Sequence, residues 1–311
     1  MEYEEEGNSK VKLLLSLFFV LAVVILLTIY LFAPFGKFEF YVFDENSNFS
    51  IGNLSSEKMQ FYPNMRYPYP SISYKIYDCP LQKKNEMESA FSILAEKTIL
   101  DFYSADSNEE ISVTCDSKSR SEGGLFIAGE GGPSEIIGTS LFNVILHGKI
   151  LLIRESNCGF PNIAMHELLH VLGFEHSSNK NNIMYNITNC RQTLGDDIPE
   201  SINTLYSVAS LPDLSFENVS ASISGRYLDI NLSVKNNGLK IAEEGKILIY
   251  ADEDRVKEFN LEKLNIGYGL SVEMKNIFVS KFSVSEVKMV VENNFAELDK
   301  ENNEIILKIK K

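Results

Sequence analysis

The sequence HELLHVLGFEH, at residues 166–176, decides how the rest of the chain is interpreted. His166 and His170 are four residues apart, so a helix would direct both imidazoles from one face, where they can share a metal ion. Gly173 can adopt the left-handed conformation that ends a helix, which allows the chain to return His176 as a third ligand. Glu167 would lie beside the metal without binding it. Three nitrogen ligands and one open position form a catalytic zinc geometry, whereas a structural site has four protein ligands.

The composition limits the other classes of function. Three of the four histidines lie in this one segment, and we assign no metal role to the fourth, His147, in a predicted strand. The net charge of −14 argues against nucleic-acid binding, because phosphate contacts need clustered Lys and Arg. The 311 residues are enough for two domains with additional segments. Four cysteines without a CxxC pair disfavour a zinc ribbon or a thioredoxin-like site.

The central segment resembles the metzincin clan of zinc endopeptidases, whose pattern HExxHxxGxxH it matches at all five defining positions. The sequence NNIMYN places Met184 eight residues after His176, similar to the methionine turn of that clan. This short spacing and the sequence GDDIPESINTLYS at 195–207 look most like the matrixin branch. The resemblance covers roughly residues 60–210.

The resemblance implies a site and a chemistry. It implies one catalytic Zn²⁺ held by His166, His170 and His176, with Glu167 as the general base and a polypeptide as the substrate. Met184 would form a hydrophobic floor under the metal.

The cysteines predict two disulfides. Cys158 and Cys190 bracket the metal motif, and Cys79 and Cys115 lie upstream of it, so we predict these two pairs out of three pairings. Free buried cysteines are the alternative.

The N-terminal part of the chain predicts a membrane anchor. Residues 13–33 contain no charge, and a helix of this length measures about 31 Å, the thickness of a bilayer core. We predict a single-pass transmembrane helix after a cytoplasmic tail at 1–12, with the later domains extracellular in the cell membrane. A cleaved signal peptide is the alternative, although its apolar region would be shorter, about 7–15 residues.

The remaining segments predict the organisation of the chain. We expect a stalk at 34–60 and a glycine-rich loop at 116–135. Upstream strands are predicted at 71–78, 109–115 and 147–155, and helices at 85–100, 163–172 and 198–206. From Asp213 onward, short alternating runs are typical of a β-sandwich.

The C-terminal segment resembles the CARDB family of immunoglobulin-like domains in prokaryotic surface proteins. The similarity rests on the opening PDL, on VKNNG at 234–238 and on ENNFAELDKENN at 292–303. It implies a role in spacing or adhesion, with cell-surface partners. The Asp, Glu and Asn residues near 292–304 could bind Ca²⁺, although we favour a solvated acidic turn.

The sequence therefore predicts an α+β metzincin-like catalytic domain at 61–210, a C-terminal all-β immunoglobulin-like sandwich at 212–311 and an N-terminal transmembrane helix. The functional hypothesis is a membrane-anchored extracellular zinc metalloendopeptidase. The alternative is a surface adhesion or scaffold protein with a silent peptidase fold. Glu167 argues against that alternative, because a structural metal site needs no general base.

Overall fold

The computed structural model of the protein describes residues 2–32, 37–44, 59–118, 120–122, 125–156, 158–281 and 283–309. Its first helix, α1, runs from Glu2 to Phe32. The stretch Val11–Ile29, with a mean hydropathy of 2.8, is long and apolar enough to cross a membrane. Its large apolar side chains are exposed, so this helix does not belong to a protein core.

The upstream domain has a mixed sheet of six strands with helices packed against it. Its elements are β2 (Met65–Arg66), β3 (Ser71–Ile76), α2 (Leu81–Lys97), β4 (Asp101–Ser104), β5 (Ile111–Cys115), β6 (Arg120–Glu122), β7 (Leu125–Ile127), β8 (Gly129–Gly138), β9 (Asn143–Leu152), α3 (Asn162–Val171) and α4 (Asp197–Ser207). The order is β2-β9-β5-β3-β4, all parallel, and β8 pairs antiparallel with β9. β6 and β7 form a separate hairpin.

The core of this domain lies between the sheet and helices α2 and α3. Every residue of α3 is buried, while α2 buries only the side that carries Met87, Phe91 and Leu94. The two helices contact each other, and α3 also contacts β8 and β9. A helix that is buried on all sides has a fixed position relative to the sheet, which is what a site built on it requires.

The glycine-rich loop predicted at 116–135 is wrong for Arg120–Glu122 and Leu125–Ile127, which form β6 and β7, and for Gly129–Glu135, which belong to β8. Glycine weakens a strand and therefore predicted a loop. In the fold these glycines allow β8 to lie directly against α3, because a Cβ at Gly131 would be 2.4 Å from the carbonyl oxygen of Glu167. The other strands and helices predicted in this domain are formed, with ends shifted by a few residues.

The C-terminal domain is an antiparallel all-β structure. Its strands are β10 (Leu214–Ser224), β11 (Tyr227–Asn236), β12 (Gly245–Ala251), β13 (Asp254–Leu261), β14 (Gly269–Phe278), β15 (Glu286–Glu292) and β16 (Glu304–Ile309). Together with β1 (Lys37–Asp44) they form one hydrogen-bonded sheet in the order β13-β12-β15-β16-β1-β10-β11-β14. Apolar side chains from both halves of this sheet share a single core.

β1 corrects the predicted stalk. Residues 37–44 form a strand between β10 and β16, and Phe40 is only 4% exposed, in register with Ala221 and Ile309. The stalk prediction is also wrong for Gln60, which is buried and bridges to Phe174 of the upstream domain. Residues 45–58 of the predicted stalk lie outside the described residues.

The two domains meet in a small apolar cluster. Phe142 and Val144 of the upstream domain pack with Leu239 of the sandwich, and Leu298 lies against them. The Thr139 hydroxyl donates a hydrogen bond to the carbonyl oxygen of Asn237 at 3.0 Å. The junction therefore combines apolar packing with direct hydrogen bonds.

Candidate active site

Three histidine side chains converge at the end of α3. The Nε2 atom of His170 lies 3.0 Å from that of His166 and 3.2 Å from that of His176. They form the one group of three His, Cys, Asp or Glu in the described part of the chain whose ligand atoms all lie within 4.8 Å of one another. The helix contributes the first two rings, and the chain after Gly173 contributes the third, as the spacing predicted.

Backbone carbonyls orient two of these rings. The Nδ1 atom of His166 lies 2.7 Å from the carbonyl oxygen of Ile183, and that of His170 lies 2.7 Å from the carbonyl oxygen of Phe174. A carbonyl can only accept, so Nδ1 carries the proton and Nε2 presents its lone pair. Carbonyl partners of this kind are typical of metal-binding histidines.

The donor set fits a zinc ion. The Nε2 atoms of His166 and His170, 3.0 Å apart, cannot hydrogen-bond to each other, because each of them is an acceptor. Tetrahedral Zn–N bonds of about 2.0–2.1 Å place the nitrogens about 3.3 Å apart, close to the spacing found here. Burial, with a smaller contribution from His166, lowers the pKa of His170 to about 4, and burial also lowers the pKa of His166. Both rings are therefore neutral at pH 7, as metal binding requires.

Gly173 makes the return of His176 possible. Its φ of +94° favours glycine, and a Cβ there would lie 2.6 Å from the Met65 side chain. The Gly173 N–H donates to the carbonyl oxygen of His170 at 3.0 Å, which ends the helix. A side chain at this position would displace the third histidine from the other two.

The turn around Met184 lies under the histidines and ties them together. Met184 is fully buried, and its N–H donates to the Asn182 side chain at 2.8 Å. Its carbonyl oxygen accepts from the N–H of Ser177, the residue after His176. Because Ile183 orients His166 as well, this turn fixes histidines from both sides of Gly173.

Glu167 lies beside the histidines in a tight environment. Its side chain is 5% exposed, and a Cβ at Gly129 would be 2.8 Å from its carboxylate. Burial, and to a lesser degree the charge of Glu130, raises the pKa of the Glu167 carboxyl to about 8. The carboxyl can therefore hold a proton near neutral pH, as expected of a group that exchanges protons with a reactant.

The site opens into a cleft of about 1370 Å³. One wall is formed by Gly129, Glu130 and Gly131 of β8, and another by the segment from Asn186 to Cys190. The structure forms both predicted disulfides, Cys79–Cys115 and Cys158–Cys190. Cys158 and Cys190 line the cleft themselves, so the second bridge joins the chain before α3 to the segment after the Met184 turn.

The fold and site can be compared with known proteins. Residues 68–207 match the family model described as matrixin, and residues 211–306 match the model described as CARDB. The chain combines a matrixin-like domain with a CARDB-like domain. A comparison with curated proteins returns no match.

Two solved structures illustrate the similarity of each part. High choriolytic enzyme 1, a hatching-enzyme zinc protease from the medaka fish Oryzias latipes, is 16% identical; the match covers 49% of this chain and 96% of that chain, with a TM-score of 0.30. The CARDB domain of a Pyrococcus furiosus protein, in complex with di-metal ions, is also 16% identical; the match covers 32% of this chain and 87% of that chain, with a TM-score of 0.27.

The structure adds residues of the matrixin-like domain that the sequence did not single out. Phe61 stacks on His170, with ring centroids 5.8 Å apart. Gly129 and Gly131 contact Glu167, and their glycine pattern was the one available signal. His147 is exposed in β9, 3.8 Å from Glu135, and is not among the converging histidines.

Proposed function

We propose that this chain is a membrane-anchored zinc endopeptidase that cleaves polypeptides outside the cell. The observation that carries the proposal is the convergence of three histidine Nε2 atoms beside the buried Glu167 carboxyl in an open cleft. His166, His170 and His176 would hold the metal. A zinc ion bound there supplies Lewis acidity, which makes water a better nucleophile and polarises the peptide carbonyl.

Glu167 would act as the general base and then as the general acid. One of its carboxylate oxygens takes a proton from the attacking water, and the same carboxyl returns it to the amine nitrogen as the peptide bond breaks. Its position one residue after a ligand places it beside the reacting atoms without making it a ligand. The β8 glycines exclude bulk water from one side of the carboxyl.

The substrate would bind as an extended strand along β8. This strand pairs only with β9 among the described strands, so its other edge has backbone groups available for pairing. An added strand at this edge would pass Gly129 and Gly131, and therefore Glu167. Backbone pairing of this kind binds peptides of many sequences and presents a peptide bond to the site.

The location outside the cell rests on two features. The exposed apolar stretch Val11–Ile29 supports anchoring by the N-terminal helix, and the two disulfides support an oxidising compartment for the later domains. We place the domain boundary near residue 210, with the peptidase domain at 61–210 and the sandwich at 212–311. The sandwich would provide spacing or contacts with cell-surface partners.

The test compares two charge-neutralising variants of the full-length chain in detergent. Glu167→Gln keeps the shape of the side chain but removes the base, so we expect cleavage of an unfolded protein to fall by about 10²–10⁴-fold while bound zinc stays stoichiometric. Glu200→Gln, at an exposed position of α4, is the matched control and should cleave normally. A chelator should abolish cleavage, and added zinc should restore it.

Cleavage that survives Glu167→Gln would contradict the mechanism. Stoichiometric zinc without cleavage of any unfolded substrate would instead favour the adhesion or scaffold function.

A further inference from the structure

Three acidic side chains are buried where the sandwich begins and where its last loop returns. Asp213 is 1% exposed, and Glu297 and Asp299 are each 9% exposed. The solvated acidic turn favoured by the sequence for 292–304 is therefore wrong for Glu297 and Asp299, although Glu292 and Glu301 of the same run are exposed. Among the described residues, none of the three forms an ion pair with Lys, Arg or His. Burying charge without a counter-charge is unfavourable, so this arrangement calls for a compensating group.

Neutral donors hold the carboxylates in place. Asp213 accepts hydrogen bonds from the Asp299 N–H at 3.1 Å and from the Asn302 amide at 3.3 Å. Glu297 accepts from the Leu214 N–H at 2.6 Å and from the side-chain amides of Asn293 and Asn303. These donors fix the geometry but bring no positive charge. Burial raises the pKa of Asp213 to about 6, although these hydrogen bonds oppose the shift.

Several buried oxygens in the same cluster have no hydrogen-bond partner. They are Asn293 Oδ1, Asp299 Oδ2, Asn302 Oδ1 and Asn303 Oδ1. Asn303 is 5% exposed, so water has little access to it. Each of the three asparagines directs its NH₂ group to a carboxylate, which leaves its carbonyl oxygen unused. A buried cluster whose unpaired polar atoms are all hydrogen-bond acceptors lacks a cation or a hydrogen-bond donor.

We propose that this junction cluster, formed by Asp213, Asn293, Glu297, Asp299, Asn302 and Asn303, binds one Ca²⁺ ion. Calcium takes six to eight oxygen ligands in flexible geometry, and carboxylate and amide oxygens are its usual ligands. The ligand oxygens of the three carboxylates do not all lie within 4.8 Å of one another, so a single ion requires these side chains to move closer on binding, with amide oxygens completing the shell. A smaller ion that demands strict octahedral geometry, such as Mg²⁺, fits this set less well.

The junction cluster lies beside the contact between the two domains. The Leu298 N–H donates to the carbonyl oxygen of Pro212 at 3.0 Å, and Leu298 also packs against the apolar cluster of Phe142, Val144 and Leu239. Binding of calcium would therefore hold the last loop against both the first strand of the sandwich and the upstream domain. This role is independent of peptide cleavage.

The test measures calcium binding and thermal unfolding of the zinc-saturated full-length chain in detergent. Titration calorimetry should give one Ca²⁺ per chain, and about 10 mM CaCl₂ should raise the unfolding temperature of the sandwich by about 5–10 °C. The same concentration of MgCl₂ should give a clearly smaller shift. Asp299→Asn should abolish the calcium-dependent shift, and its fold should persist because it removes a buried charge.

Glu301→Gln is the matched control, because Glu301 is an exposed acid two residues along the same loop. It should retain the full calcium shift. No calcium binding by the unsubstituted chain would overturn the proposal, and so would equal binding by Asp299→Asn. Equal stabilisation by magnesium would overturn the assignment to calcium.

Discussion

Two adjacent glycines of β8 differ in what surrounds them. A Cβ at Gly131 would lie 2.4 Å from the carbonyl oxygen of Glu167 and 2.9 Å from its Cα, whereas a Cβ at Gly132 would meet nothing within 4 Å. Neither has a positive φ, so the difference is one of space alone. Gly131 therefore sets the distance between β8 and the helix that carries Glu167.

We expect Gly131→Ala to push β8 away from α3 and to reduce kcat/KM on an unfolded protein substrate by about 10²-fold, since a displacement of about 1 Å at a reacting centre has an effect of this size. Zinc content, measured by mass spectrometry, should be unchanged, because the histidines are held by the Met184 turn. Gly132→Ala is the matched control and should cleave like the unsubstituted chain. Similar losses in both variants would contradict this account.

At this same scale, the sequence predicted the residues whose roles depend on local spacing. His166, His170 and His176 follow from helical geometry and one glycine turn. The contacts of Gly129 and Gly131 with Glu167 depend on how β8 packs against α3. The spacing of residues along the sequence gives no indication of that packing. The burial of Asp213 with Glu297 and Asp299 was missed for the same reason, because it joins segments more than 80 residues apart.

At the scale of elements, the two disulfides close loops of similar length but join different structures. Cys79–Cys115 spans 36 residues at the end of β5, and Cys158–Cys190 spans 32 residues across the candidate active site. In the chain-entropy model each closure contributes about 3–4 kcal/mol to the free energy of unfolding. Only the second bridge lines the cleft and restrains the segment that follows the Met184 turn.

Replacing both cysteines of either pair by serine should therefore lower the free energy of unfolding by about 3–4 kcal/mol. The zinc dissociation constant should rise only in the Cys158→Ser/Cys190→Ser variant, because that bridge supports the turn that orients His166. Denaturant unfolding and competition with a zinc chelator measure the two quantities. Equal loss of zinc affinity in the Cys79→Ser/Cys115→Ser variant would contradict this account. It would show that the Cys158–Cys190 bridge affects zinc binding through global stability alone.

Element prediction succeeded where periodicity was strong. It failed at the long strands β1 and β8, and it did not identify the short strands β2, β4, β6 and β7. The amphipathic α2 and the alternating strands of the sandwich were predicted because each carries its apolar pattern locally. β8 was missed because its glycines reduce strand propensity in favour of close packing. β1 was missed because KFEFYVFD follows directly after the apolar helix and precedes an Asn-rich stretch, so nothing nearby indicated a partner strand.

At the scale of the whole molecule, β1 makes the upstream domain an insertion in the sandwich. β1 precedes that domain in the sequence, yet it connects β16 to β10 and so joins the two halves of the C-terminal sheet. Only residues 33–36 separate α1 from β1, a link that spans at most about 18 Å. If α1 crosses the membrane, the sandwich lies next to the bilayer, and the domain with the cleft is inserted in the sandwich between β1 and β10.

This topology predicts that the stability of the sandwich depends on β1. Phe40→Ala should lower its free energy of unfolding by about 3–5 kcal/mol, because Phe40 is buried between the two halves of the sheet. Phe38→Ala is the matched control, since Phe38 is 52% exposed on the same strand, and it should change stability by about 0.5 kcal/mol or less. Calorimetry of the full-length chain in detergent measures both, and cleavage of a short peptide should stay unchanged because the matrixin-like domain has its own core. Equal unfolding temperatures for the two variants would mean that β1 does not complete the sheet, and the segment after the helix would then be the stalk that the sequence first indicated.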